Sequence, residues 1–265
     1  MKKKLFGLLT TCAMLLAGSA VGQHTFVLVH GAWGGGWSFK KTDELLRKTG
    51  HTVYRPTLTG LGERAHLISS QVDLQTHIQD VINTILFEDL HNVVLLGHSY
   101  GGMVVTGVAD SLPDRISRLV YLDAFVPEDG QSASTAHGHG RTGREIAAGD
   151  SVIRPAWVRP GQPLPHDVPH PVKTFTQPIQ LKNPKRMAIP TTYILTYEGD
   201  DPETDGFAFF ARRAADYGWP VVRMQADHNP QMTMPDRLAV LLEQVAAGGV
   251  PTGSLGSDAG TDVHP

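Results

Sequence analysis

The chain has 265 residues, a formal net charge of −3 and a single cysteine. Near-balanced charge with no basic stripe among aromatics argues against a nucleic-acid surface and against an anionic-membrane partner. The length suits one domain, or one domain carrying an insertion, and there is no internal repeat.

Residues 1–22 differ in kind from the rest. Lys2, Lys3 and Lys4 precede a mostly apolar run from Leu5 to Leu16, and small residues follow from Ala17 to Gly22. This is the pattern of a secretory signal peptide, cleaved after Ala20 or Gly22, and it predicts a secreted or periplasmic protein with no stable membrane anchor. The single cysteine, Cys12, falls inside it. The mature chain would then have no thiol, which excludes a Cys nucleophile and a Cys-ligated metal.

Thr25-Phe26-Val27-Leu28-Val29 is a continuous apolar run, as expected of a parallel strand buried on both faces. It runs into His30-Gly31-Ala32-Trp33-Gly34-Gly35-Gly36-Trp37, a glycine-rich turn able to offer backbone N–H groups to a ligand. No Lys-Ser/Thr follows and no G-x-G-x-x-G is present, so the turn is not a nucleotide-binding loop. Ser38 is placed to cap a helix ending near Lys48 and Gly50. Thr52–Arg55 predicts a second strand. Leu74, Ile78, Val81, Ile82, Ile85 and Leu86 share one face of a helix over 73–87.

Asn92-Val93-Val94-Leu95-Leu96 then leads through Gly97-His98-Ser99-Tyr100-Gly101 into a helical stretch beginning at Gly102. Strand, sharp turn, helix, with a serine at the tip, is the pattern of a nucleophile elbow. Leu119–Asp123 predicts the next strand. The β-α-β-α-β-α-β order predicts an α/β fold: a mostly parallel sheet flanked by helices. Residues 127–190 are proline-rich and lack sustained periodicity, which predicts an inserted cap with Trp157 and Phe175 as candidate pocket walls. The sheet resumes at Thr191–Thr196 and ends at Val221–Met224, with helices over 206–217 and from Pro235. The core is thus residues 23–126 and 191–247, and residues 248–265 form a polar tail predicted to be disordered.

A serine nucleophile needs a base, and the base needs an orienting acid. In this fold they follow in the order Ser, acid, His. His228 follows the last strand and is the predicted base. Asp200 and Asp201 follow the penultimate strand, and Asp123 ends the strand after the elbow helix; all three are candidate acids. Backbone N–H groups of Tyr100 and Ala32 are the candidate oxyanion hole. His137, His139, His166 and His170 match no familiar zinc spacing, so neither a metal nor a cofactor is expected.

The segments 26–33, 56–62, 97–102 and 121–127 together resemble α/β-hydrolase carboxylesterases, a bacterial group that includes pyrethroid-hydrolysing esterases. They are more distantly similar to plant methylesterases and hydroxynitrile lyases. The resemblance spans about residues 24–247. It implies a serine carboxylesterase acting on small to medium hydrophobic esters, and it places the acid 28 positions before the histidine, at Asp200. The plant lyases carry Lys after the histidine and Thr at the Gly31 position. Here these are Asn229 and Gly31, which favours an esterase over a lyase; the full set of Ser, acid and His candidates argues against a non-catalytic ligand-binding protein of the same fold. The oligomeric state is not encoded in these patterns.

Overall fold

The computed structural model describes residues 22–136 and 149–249. Of the expected signal peptide, residues 1–22, all but Gly22 lies outside the described residues, Cys12 included. So do His137 and His139, and all of the expected tail beyond Gly249.

In chain order the strands are β1 (Thr25–Val29), β2 (Thr52–Tyr54), β3 (Val93–His98), β4 (Ile116–Leu122), β5 (Val152–Ile153), β6 (His170–Pro171), β7 (Thr191–Tyr197) and β8 (Val221–Gln225). The helices are α1 (Lys40–Lys48), α2 (Leu74–Phe87), α3 (Gly101–Ser111), α4 (Lys173–Thr176), α5 (Ala208–Asp216), α6 (Pro230–Thr233) and α7 (Pro235–Ala246). Six strands form one sheet in the order β2-β1-β3-β4-β7-β8. Every neighbouring pair in it is parallel.

Side chains alternate across a strand, so each strand feeds two cores. Phe26, Leu28, Val94, Leu96, Val120, Leu122 and Ile194 face one way and meet Leu46 of α1 and Leu238, Leu241 and Leu242 of α7. Val27, Val29, Leu95, Tyr121 and Tyr193 face the other way and meet α2, α3 and α5 through Ile78, Val81, Met103, Val105 and Phe210. Both faces are dry, which is why the strands read as unbroken apolar runs.

Local chemistry sets the element ends. Asp73 caps α2: its carboxylate accepts the Thr76 N–H at 2.9 Å, and the Thr76 hydroxyl accepts the Asp73 N–H. Ser38 does not cap a helix. It lies inside a 3₁₀ turn, Gly36–Phe39, that runs directly into α1, and its hydroxyl donates to the Gly35 carbonyl. β4 starts three residues earlier than the apolar run, at buried Ile116, and takes in the partly buried Ser117 and Arg118.

Between β4 and β7 the chain makes a two-stranded antiparallel ribbon, β5 with β6, and the short helix α4. This segment is tied to the glycine-rich turn. The Val168 N–H donates to the Trp33 carbonyl at 2.9 Å, and the Trp33 indole N–H donates to the Ile153 carbonyl at 3.0 Å. Phe175 packs inward and stacks on Tyr100 at 5.2 Å between ring centroids. It is a packing residue, whereas Trp157 borders the open cleft.

Candidate active site

The site lies beyond the C-terminal ends of the parallel strands, the usual ligand-binding edge of an open α/β sheet. Ser99 follows β3 at the mouth of α3, with φ at 52°, in the left-handed region. A non-glycine residue there costs on the order of 1–3 kcal/mol and needs surrounding structure to hold it. That structure is present: the Ser99 N–H donates to the Leu122 carbonyl at 3.2 Å, and its own carbonyl accepts from Gly102 and Phe125. Strand and helix approach so closely that a Cβ on Gly97 would sit 2.6 Å from the Gly101 carbonyl oxygen. Glycine is therefore required at that position.

Ser99 Oγ lies 3.0 Å from His228 Nε2, and His228 Nδ1 lies 2.6 Å from Asp123 Oδ2. A carboxylate only accepts, so Nδ1 carries the proton and Nε2 is left free to accept from the serine hydroxyl. The second oxygen, Asp123 Oδ1, accepts from the Thr196 N–H at 3.2 Å. Asp123 is buried to 1 % exposure and, like Ser99, has positive φ, at 45°.

The structure therefore brings Ser99, His228 and Asp123 together and leaves Asp200 out. The reason is strand length. β4 and β7 pair in register at Leu122 and Ile194, and the Asp123 N–H donates to the Ile194 carbonyl at 2.7 Å. β4 stops there, whereas β7 runs on to Tyr197. Asp123 thus turns inward beside the imidazole while Glu198–Asp201 is carried outward to the exposed edge. Asp201 is also excluded: its carboxylate accepts the Glu203 N–H and caps the turn Pro202–Thr204.

Ala32 lines the cleft, as do Gly31 and Ser99. Tyr100 directly precedes α3, so its N–H belongs to the first turn, where helical N–H groups have no intrahelical partner. The Tyr100 side chain is fully buried, with its hydroxyl 3.0 Å from His77 Nδ1.

Three further residues shape the site. His98 Nε2 lies 2.7 Å from the His228 carbonyl oxygen and must donate to it. Burial holds His98 well below the ordinary histidine range, so it stays neutral. Phe207 stacks on the His228 ring at 4.9 Å and 16°. Asp205 accepts the Phe207 N–H at 2.7 Å. Its carboxyl is raised by burial and then by the charge of Asp123. None of the three stood out in the sequence. His98 carries a partial signal as the residue before the serine; Phe207 and Asp205 carry none, because only the fold brings them to the histidine.

His170 is structural. It is buried, its Nδ1 accepts the Trp33 N–H, and its Nε2 donates to Thr174 Oγ1. Among the described residues no group of three or more His, Cys, Asp or Glu side chains is arranged to hold a metal ion.

The cleft over Ser99 has a volume of about 640 Å³ and is walled by Trp33, Trp37, Trp157 and Met232, with Asp167 and Asn229 among its polar groups. Its size suits a small organic molecule.

A hydrogen-bonded Ser-His-Asp chain with a buried acid, at a strained strand–helix turn on a parallel sheet, defines an α/β-hydrolase site. The alpha/beta hydrolase family matches residues 26–241, and the chain belongs to it. It is 40% identical over 245 residues to a carbendazim-hydrolysing esterase from Nocardioides sp., covering 84% of this chain and 99% of that protein. It is 28% identical to a pyrethroid hydrolase from Sphingobium wenxiniae over 266 residues, covering 89% and 92%. Among solved structures, an extracellular α/β-hydrolase from a Paenibacillus species superposes with a TM-score of 0.66 at 27% identity, covering 84% of this chain and 99% of that one.

Proposed function

We propose that this protein is a serine carboxylesterase that hydrolyses small to medium hydrophobic esters through an acyl-enzyme. The observation that carries the reading is the continuous hydrogen-bond chain from Ser99 Oγ through His228 to Asp123 at the floor of an apolar-walled cleft. The similarity to two named ester-cleaving proteins supports it.

Ser99 attacks the ester carbonyl as His228 Nε2 takes its proton. Asp123 holds the imidazole in the required tautomer and stabilises the imidazolium. The Ala32 and Tyr100 N–H groups bind the developing oxyanion. His228 then returns the proton to the leaving alcohol, and a water activated by His228 releases the acid from Ser99.

A lyase reading fits less well. A Cβ on Gly31 would lie 3.0 Å from Ser99 Cβ and 2.9 Å from His98 Nδ1, so this turn has no room for a side chain such as threonine. Asn229 stands after the histidine, where the lyases carry a lysine.

Residues 1–22 act as an export signal in this reading, and residues 127–190 as a cap over the cleft. The charge and apolarity of the leader support export, as does similarity to a hydrolase described as extracellular.

Ser99→Ala tests the mechanism. It should lower kcat on an aryl butyrate by about 10⁶-fold and abolish labelling by a fluorophosphonate, with an unchanged melting curve. Near-normal turnover in a folded Ser99→Ala protein would refute the reading.

A further inference from the structure

We infer that the cleft selects esters bearing a protonated amine, held in a corner made by the Asp167 carboxylate and the indoles of Trp33 and Trp157. The inference rests on the esterase reading and adds its substrate class.

The corner is built rather than incidental. The two indoles meet edge to face, with centroids 5.1 Å apart at 85°. Trp33 is fixed by its hydrogen bond to Ile153 and by packing against His170 and Phe175. Trp157 is 53% exposed and donates its N–H to Asp167 Oδ2 at 2.7 Å. The Asp167 backbone is pinned on both sides, by Val168 to the Trp33 carbonyl and by His166 Nδ1 to the Asp167 carbonyl. Its second oxygen, Oδ1, reaches over the glycine-rich turn: a Cβ on Gly34 would lie 3.8 Å from it. Oδ1 is thus an acceptor beside the turn that carries Ala32.

Electrostatics agrees with this placement. The cleft wall carries Asp167 and Asp227 and, among the described residues, no lysine or arginine. Asp227 accepts the Asn229 N–H and the Thr233 hydroxyl, both on Oδ1; Asp167 is the carboxylate joined to the indole corner, through Trp157. Burial pushes the Asp167 carboxyl up, so its ionised form is underpaid in solvation, and a cation would restore it. Aromatic faces add attraction for a cation but little for a neutral isostere. An anionic ester would be repelled.

The test compares two esters of equal shape, the dimethylaminoethyl and isopentyl esters of butyric acid, at neutral pH and low ionic strength. The wild-type kcat/KM should favour the amino ester by about tenfold, the scale of a charge-assisted hydrogen bond at a partly exposed site. Added salt should shrink the ratio. Asp167→Asn, which can still accept from Trp157, should bring it near one, and Trp157→Leu should lower it in part. A wild-type ratio at or below one, or a ratio that survives Asp167→Asn, would overturn the inference. A merely structural role for Asp167 would slow both esters and leave the ratio intact. If neither ester is turned over, the esterase reading fails on these substrates. The corner is then read directly, by quenching of tryptophan fluorescence with benzyldimethylammonium. Saturable quenching that Asp167→Asn removes supports the inference, and its absence in the wild type contradicts it.

Discussion

At the residue scale, the site depends on three non-glycine residues held at positive φ: Trp33 at 62°, Ser99 at 52° and Asp123 at 45°. Each lies in or beside the cleft, and each is fixed by hydrogen bonds from a neighbouring element. This geometry leaves little slack. Gly31→Ala would push a methyl to about 3 Å from both Ser99 and His98. The turn bearing Ala32 must then move, and kcat on an aryl butyrate should fall about 10²-fold, as for other sub-ångström to ångström misplacements of reacting groups. Wild-type kcat in that variant would mean that the turn does not position the oxyanion. The serine and the histidine were legible in sequence because each follows an apolar run and sits at a recognisable turn. The acid was not, because Asp123 and Asp200 both follow strands. What separates them is that β7 outlasts β4 by three residues past their last paired position, a property of pairing that residue pattern does not express.

At the element scale, the apolar periodicity of α2 and the unbroken runs of β1 and β3 carried most of the architecture. They are long, and they are buried on one or both faces. The short elements between β4 and β7 were not legible, since β5, β6 and α4 have two to four residues each and are stabilised by distant partners. α2 links the two kinds of structure. Asp73 caps it with Oδ1, while Oδ2 accepts from Gln177 Nε2, just after α4. Asp73→Ala should therefore cost about 1–2 kcal/mol of unfolding free energy in urea titration, at the upper end for an N-cap. A change below a few tenths of a kcal/mol would show that neither contact contributes.

At the scale of the whole molecule, four histidines are sealed in around the site: His30, His77, His98 and His170. Burial lowers His30 and His77 to about 4, with the other two well below the ordinary value. A group whose folded pKa is depressed in this way stays neutral in the native state while its unfolded counterpart protonates. Stability is then whole above pH 6.5 and is lost as pH falls toward 4, where the folded protein protonates too. For His30 and His77 the full loss is on the order of 3 kcal/mol each. Tm should fall steeply between pH 6.5 and 4.5, and His77→Gln should flatten that slope. A flat Tm across this window would contradict the buried neutral network. None of this was visible in sequence, where thirteen histidines are scattered without pattern.

The central claim is that Asp123, not Asp200, completes the chain through His228 to Ser99. The measurement that tests it is kcat on one activated butyrate ester for Asp123→Asn and Asp200→Asn, side by side near neutral pH. The 2.6 Å contact between Asp123 and His228 Nδ1 predicts a loss of up to about 10⁴-fold for Asp123→Asn, because the amide favours the wrong imidazole tautomer. Asp200 is exposed and away from the ring, so Asp200→Asn should stay within about twofold of wild type, the usual range for a surface change. A crippled Asp200→Asn beside an active Asp123→Asn would contradict the account.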